Sequence, residues 1–294
     1  MTFARHDPID DLDTLPRMPA WVTSSRVETL EAVAFLSGAA LNHLHLVLGH
    51  EDVPQALLRD RLALRAAEAC VAFSGRPERA AELRDVVHLL RPDDLPGPAG
   101  ETYLAWGRAT EQPVSIKALG RPLPAFEPGQ IVAWLAAGKG APVTRAAMVL
   151  ESVLREAPRA DEAALILADA ALAQALGWDH LVPLLAPGLK RSDLRKHGAD
   201  LRLACHRALI ASVIEAARQA ADLARRAAHL KAVAPKLRAK GAGDAVEMFL
   251  TRDAVAPSAL PLPDRAARRL CDRLVELGAV RELTGRDTFR LYGV

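Results

Sequence analysis

The sequence predicts an all-α protein, a multi-helix bundle followed by a small helix-plus-hairpin module at the C-terminus. Three observations carry that expectation. Ala, Leu and Arg abound and β-branched residues are sparse, while aromatic residues make up only 4% of the 294-residue chain. In segments 200–232 and 264–277, apolar residues recur at helical spacing. Strand-like runs appear only after Gly278. Half of the residues are hydrophobic and a quarter charged, a composition that excludes global disorder.

Residues 1–24 read as a loose acidic arm. Pro8, Pro16 and Pro19 and the acids Asp10, Asp11 and Asp13 offer no periodic apolar face. No basic stretch precedes an apolar core there, so a secretory signal is not expected. Ser25 with Glu28 forms a capping-box pattern before a helix that runs through Leu48 and stops at Gly49. Further helices are expected at about Pro54 to Phe73, Pro77 to Leu90, and 99–110 around Trp106. The proline-rich stretch Gln112–Gly129 reads as a connection. Helix resumes over Ile131–Gly138, Pro142–Arg155 and, capped by Asp161, as far as Leu176. A long segment from Asp200 to Ala232 carries Leu203, Ile210, Val213, Ala217, Ala220, Ala224 and Ala227 on one face. Alanines stand where a coiled-coil seam needs Leu, so this helix is expected to pack within its own bundle, and Pro235 ends it. The expected domains are the 1–24 arm, a 25–240 helical bundle ending in a long basic helix, and a 241–294 module.

No apolar run is read as long enough for a membrane span, which needs about 18 residues. Cys70, Cys205 and Cys271 lie far apart without a CxxC pair, which fits a reducing cytoplasm and points to no zinc site.

The net charge of +2 hides an asymmetry. Residues 1–60 hold 4 Lys/Arg against 9 Asp/Glu, and 61–189 hold 13 against 15. Residues 190–240 hold 13 against 4, and 241–294 hold 8 against 8. An excess of +9 in one stretch points to an anionic partner, nucleic acid first. A merely solvated helix face is the alternative.

The last segment has a readable mechanism. Gly241-Ala-Gly243 precedes a short helix, Asp244–Arg252, and a proline-marked stretch reaches Pro263. Asp264 and Gly278 then punctuate a helix whose apolar stripe is Ala267, Leu270, Leu274 and Leu277. Val280–Thr284 and Thr288–Tyr292, joined by Gly285-Arg-Asp287, read as a hairpin. Helix, broken linker, Arg-bearing helix and hairpin together resemble a winged helix-turn-helix with a β-hairpin wing. In such a module a helix in the major groove reads base edges while wing arginines reach the backbone or minor groove. The expected DNA-contacting residues are Arg265, Arg268, Arg269 and Arg273 on the helix and Arg286 at the wing tip, flanked by Arg281 and Arg290. Lys190, Arg191, Arg195, Lys196 and the Lys231–Lys240 run would supply phosphate contacts. Against this stand the module's neutrality and the expected pairing of Asp272 with Arg268 and of Glu276 with Arg273.

Other constellations carry less. His43 and His45 sit two residues apart, on different helix faces, and make a poor metal pair. Cys205 and His206 are adjacent, so they diverge around a helix and do not form a nucleophile–base couple. Gly138-Lys-Gly140 lacks the flanking residues of a phosphate-binding loop. With no catalytic motif, no metal and no cofactor signature, an enzyme is not expected.

Several phrases carry a family resemblance. They include Arg59-Asp-Arg-Leu-Ala-Leu-Arg-Ala-Ala67, Ser74-Gly-Arg-Pro77, Pro96-Gly-Pro-Ala-Gly100, Ala175-Leu-Gly-Trp178, Ala204-Cys-His206, Lys236-Leu-Arg-Ala-Lys-Gly-Ala-Gly243 and Arg265-Ala-Ala-Arg-Arg-Leu270. In these the chain resembles the alphaproteobacterial family of domain of unknown function 1403 over about residues 20–294. The resemblance implies a bacterial, cytoplasmic protein, supports a winged helix at the C-terminus, and supplies no site residues. The functional expectation is a non-enzymatic DNA-binding protein, a transcriptional regulator or replicon-maintenance factor. The rival is a protein-interaction scaffold whose winged helix docks protein. No membrane partner is expected, and the long Ala-rich helix or the terminal module could support a homodimer.

Overall fold

The computed structural model describes residues 15–24, 29–91, 93–237 and 241–294. Among them run thirteen α-helices, three short 3-10 turns and one two-stranded antiparallel sheet, so the chain is mostly helical as expected. Most of the acidic arm and the capping pair Ser25 and Glu28 lie outside the described residues, as do Pro92, Arg238 and Lys240.

The chain forms two compact units. The larger holds Ala20–Leu41 and Arg59–Ile214; the smaller holds Asn42–Leu58 and Glu215–Val294, with residues 15–19.

The larger unit begins with α1 (Ala20–Ser24), a helical turn inside the stretch expected to be loose, and α2 (Leu30–Leu48). Then follow α3 (Gln55–Phe73), α4 (Ala80–His88) and α5 (Gly97–Glu111). The proline-rich connection contains a further short helix, α6 (Ile116–Gly120), started by the Ser115 hydroxyl accepting from the Ala118 amide at 3.1 Å. Each of α7 (Pro128–Ala137) and α8 (Pro142–Glu156) opens on a proline, whose missing N–H would have had no helical partner there. α9 (Asp161–Leu176), the short α10 (Leu185–Gly188) and α11 (Gly198–Val233) complete the set.

α9 organises this unit. Every residue from Ala163 to Ala173 is buried, because small and aliphatic side chains cover its whole circumference and not one stripe. α8 packs along it as an antiparallel neighbour, and α5, α7 and α10 also touch it. One polar side chain lies in that run. Asp169, 1% exposed, accepts from the amides of Leu184 at 3.1 Å and Leu185 at 3.2 Å, the open start of α10. At the other end of α10, Gly188 crosses α11 so closely that a Cβ would stand 2.4 Å from the Ala208 carbonyl oxygen.

α2 corrects one expectation. Over 19 residues it has a mean hydropathy of 1.3, long and apolar enough by composition to cross a membrane. Its Ser, Asn and His residues interrupt the run to the eye but leave the mean high. Of its most apolar window, 44% is buried inside the fold.

The smaller unit gathers the end of α2, the turn closed by Gln55 Nε2 donating to the Leu48 carbonyl at 2.6 Å, and the second half of α11. It continues through α12 (Ala242–Thr251), α13 (Asp264–Glu276) and the strands β1 (Arg281–Glu282) and β2 (Tyr292–Gly293).

Burial pushes the Asp169 carboxyl up to about 8, against the pull of its two amide bonds. The native state therefore holds this proton more tightly than the unfolded chain, whose carboxyl has its ordinary value of 3.8. The resulting stabilisation is complete below about pH 4 and is lost as pH rises through about 8. Chemical denaturation at pH 5 and pH 8 should show this decline in the wild type and a smaller one in Asp169→Asn. Asp169→Ala strands two amides and should lose about 2–4 kcal/mol.

Candidate nucleic-acid interface

The C-terminal helix is launched by rigid chain. A 3-10 turn at Pro257–Ala259 leads through Pro261 to Pro263, which takes the N-cap position in extended conformation. Asp264 was expected there and is instead the first helical residue. Its carboxylate makes no cap bond and accepts from Arg268 Nη2 at 2.9 Å, one turn on.

Ala267, Leu270, Cys271 and Leu274 form the buried face of α13, with Cys271 joining the expected stripe and Leu277 only partly covered. The opposite side exposes Arg265, Arg268, Arg269 and Arg273, together with Asp272 and Glu276. All four expected helix arginines therefore share the solvent side of one helix. They differ in what holds them. Arg268 is tied to Asp264, and Arg273 Nη1 bonds Glu276 at 2.9 Å. Arg269 Nε donates only to the Arg265 carbonyl, at 3.3 Å, and the Arg265 guanidinium has no ion pair among the described residues. The expected Arg268–Asp272 pair is corrected. Helical side chains lean toward the N-terminus, so Arg268 reaches back to Asp264 and not forward to Asp272.

Gly278, at φ +67°, ends the helix as expected. The Ala279 amide returns to the Leu274 carbonyl at 2.9 Å, and His229 Nε2 on α11 donates to the Leu277 carbonyl at 3.0 Å. The hairpin forms with Arg281 opposite Gly293 and Glu282 opposite Tyr292. Its strands are shorter than Val280–Thr284 and Thr288–Tyr292. The Glu282 carboxylate collects the Thr284 hydroxyl and the Thr284 and Gly285 amides, each amide at 2.7 Å, which turns the chain early. Partial burial alone would raise this carboxyl; those donors outweigh it and hold it below the ordinary range.

An extended residue missed in the sequence completes the module. Val255 exchanges both backbone hydrogen bonds with Tyr292, at 2.8 and 2.9 Å, on the edge of β2 away from β1. Gly293 makes this approach feasible, since a Cβ there would lie 2.5 Å from the Asp253 carbonyl oxygen. Arg281 and Arg286 are exposed, the latter in the hairpin loop, and Arg290 faces Asp287 at 3.5 Å.

Lys190, Arg191 and Lys196 belong to the larger unit, whereas α13 and the hairpin belong to the smaller. Lys196 is engaged by Asp193 at 2.6 Å, and the same carboxylate accepts the Lys190 amide at 2.8 Å. Arg191 acts electrostatically on Asp161. On the second half of α11, Arg218 pairs with Glu215, while Arg225 and Arg226 share Asp222. The basic stretch is therefore divided between the units and partly neutralised by its own few acids.

His206, read beside Cys205 in the sequence, has its near neighbour elsewhere. Its Nδ1 lies 2.6 Å from Ser37 Oγ on α2. Ser37 also donates to the Ala34 carbonyl at 2.9 Å, so its single proton is engaged there and Nδ1–H supplies the second bond. Both groups are buried, at 0% and 7% exposure, and the pair serves packing.

A family model described as "Protein of unknown function (DUF1403)" matches residues 6–294. No curated protein matches the chain.

If Glu282 sets the hairpin turn, Glu282→Gln should loosen it by about 1 kcal/mol. Hydrogen exchange at the Leu283 and Tyr292 amides should then quicken roughly fivefold, with the α9 amides unchanged.

Proposed function

We propose that this chain, which belongs to the DUF1403 family, is a non-enzymatic DNA-binding protein whose C-terminal residues act as a winged helix. One observation carries the reading: four arginines stand on the exposed side of α13 while its opposite side is buried. The order α12, Val255, 3-10 turn, α13, β1, β2 supports it, as does the pairing of β2 with both Val255 and β1. In that arrangement α13 is the recognition helix and the 284–290 loop is the wing, with Arg286 on it. Arg265 and Arg269, unclaimed by acids, make the decisive contacts. Arg268 and Arg273 contribute less because Asp264 and Glu276 hold them. A transcriptional regulator or a replicon-maintenance factor in the cytoplasm fits this role.

A second reading, in which the module docks protein, is favoured by Phe289. This residue is 68% exposed on the hairpin in a module with no net charge.

Fluorescence anisotropy with random-sequence duplex DNA separates the two. Binding should be micromolar at low salt and weaken steeply as salt rises. Arg265→Ala/Arg269→Ala should weaken it roughly tenfold. Asp264→Asn/Glu276→Gln, which frees two arginines, should strengthen it several-fold. Absence of binding at low salt, or a double-alanine variant that binds like wild type, overturns the DNA reading and leaves protein docking.

A further inference from the structure

The larger unit contains a groove that DNA binding does not use. Its polar half is a cleft of about 460 Å³ between the end of α3, the start of α5, the turn joining α8 to α9, and Arg191. Its apolar half is a cleft of about 690 Å³ whose lining includes Pro122, Leu123, Phe126, Ala157 and Ala163. The two share Pro158, Arg159 and Glu162, so both border the turn joining α8 to α9. Either volume is in the range that accommodates a small organic molecule.

The polar half holds Arg76, Arg159 and Arg191 against Asp161 and Glu162. Arg76 leans on Glu78 at 3.6 Å. Arg159 and Arg191 have no carboxylate within ion-pairing distance among the described residues. Burial raises Asp161, with Arg191 and Arg195 opposing. Burial pushes Glu162 up to about 7, its hydrogen bond with Thr102 opposing and the nearby Glu101 adding to the rise. With three arginines against two carboxyls in its lining, the cleft is net cationic. The first turn of α9, a 16-residue helix, opens onto it with no side-chain cap, which adds the positive end of the helix dipole.

We propose that this groove binds an amphipathic organic anion. Its apolar body lies on the Pro122–Phe126 wall, and its acidic head sits between Arg159 and Arg191 at the start of α9. Apolar wall and cationic end stand side by side here, and each explains half of the ligand. A purely polar anion would leave the apolar half wet, and a neutral lipid would leave two arginines unanswered. The site lies wholly in the larger unit and stands apart from the DNA reading.

The test titrates the full chain with the fluorescent acid 11-(dansylamino)undecanoate and with its methyl ester. The acid should bind saturably, one per chain, and the ester at least tenfold more weakly. Arg159→Gln/Arg191→Gln, both at exposed positions, should bring the acid down to the affinity of the ester. Ala125→Trp, at an exposed position on the apolar wall, should weaken both probes. Arg265→Ala/Arg269→Ala should change neither. Equal binding of acid and ester, an arginine double variant that binds the acid within twofold of wild type, or no saturable binding up to about 100 μM overturns the proposal.

Discussion

A helix with no polar side must be enclosed, and that constraint shapes the larger unit. From Ala163 to Ala173 α9 offers small and aliphatic side chains in every direction, so neighbours are needed all round it. Alanines let α8 approach closely, while Leu165, Ile166, Leu167 and Leu172, all fully buried, fill the wider gaps. The one carboxyl admitted to this surround, Asp169, satisfies the amides that begin α10. Burial keeps it largely protonated at neutral pH, so it is held there as a hydrogen-bonding group and not as a charge. Gly188 then lets α10 rest directly on the α11 backbone. Where α9 emerges from its enclosure, Asp161 and Glu162 stand at the wall of the groove with Arg159 just before them. The same helix thus supplies core and cleft.

The C-terminal module runs on a different balance. α13 is narrow in its apolar face and strongly charged elsewhere, so its buried contacts run through Ala267, Leu270, Cys271 and Leu274. The rest of the helix is free to carry arginines. Whether those arginines are available to a partner depends on short-range pairing along the helix. Asp264 and Glu276 each engage one, while Arg265 and Arg269 have no ion pair among the described residues. Net charge conceals this: a segment with equal numbers of acids and bases presents two uncommitted cations on one exposed surface.

Several elements were legible in the residues because their causes are local. The ends of α3, α8 and α13 follow from Gly, Pro and apolar spacing, and Gly278 adopts the left-handed conformation its position calls for. Other features were not legible, for identifiable reasons. α6 hid in a proline-rich stretch because a five-residue helix has no room for a period. Val255 gave no strand signal, since one residue paired on one edge shows no alternation. The Asp264 cap failed because Pro263 already placed the chain, leaving the carboxylate for Arg268. His206 was weighed against its chain neighbour Cys205, while its hydrogen bond runs to a serine 169 positions away. The groove went unseen because Pro122–Phe126 looked like a linker and Arg159 to Glu162 like an ordinary helix start.

By itself the sequence determined the helical class, most helix boundaries, the charged and apolar sides of α13 and the presence of a terminal hairpin. All of these depend on residues within a few turns of one another, where propensity, capping and period act. Tertiary structure alone decided the division of the chain into two units and the enclosure of Asp169. It also decided the meeting of α3, α5, α9 and Arg191 around one cleft. The division, the enclosure and the cleft depend on contacts between residues tens to hundreds of positions apart, and spacing along a chain carries no record of them.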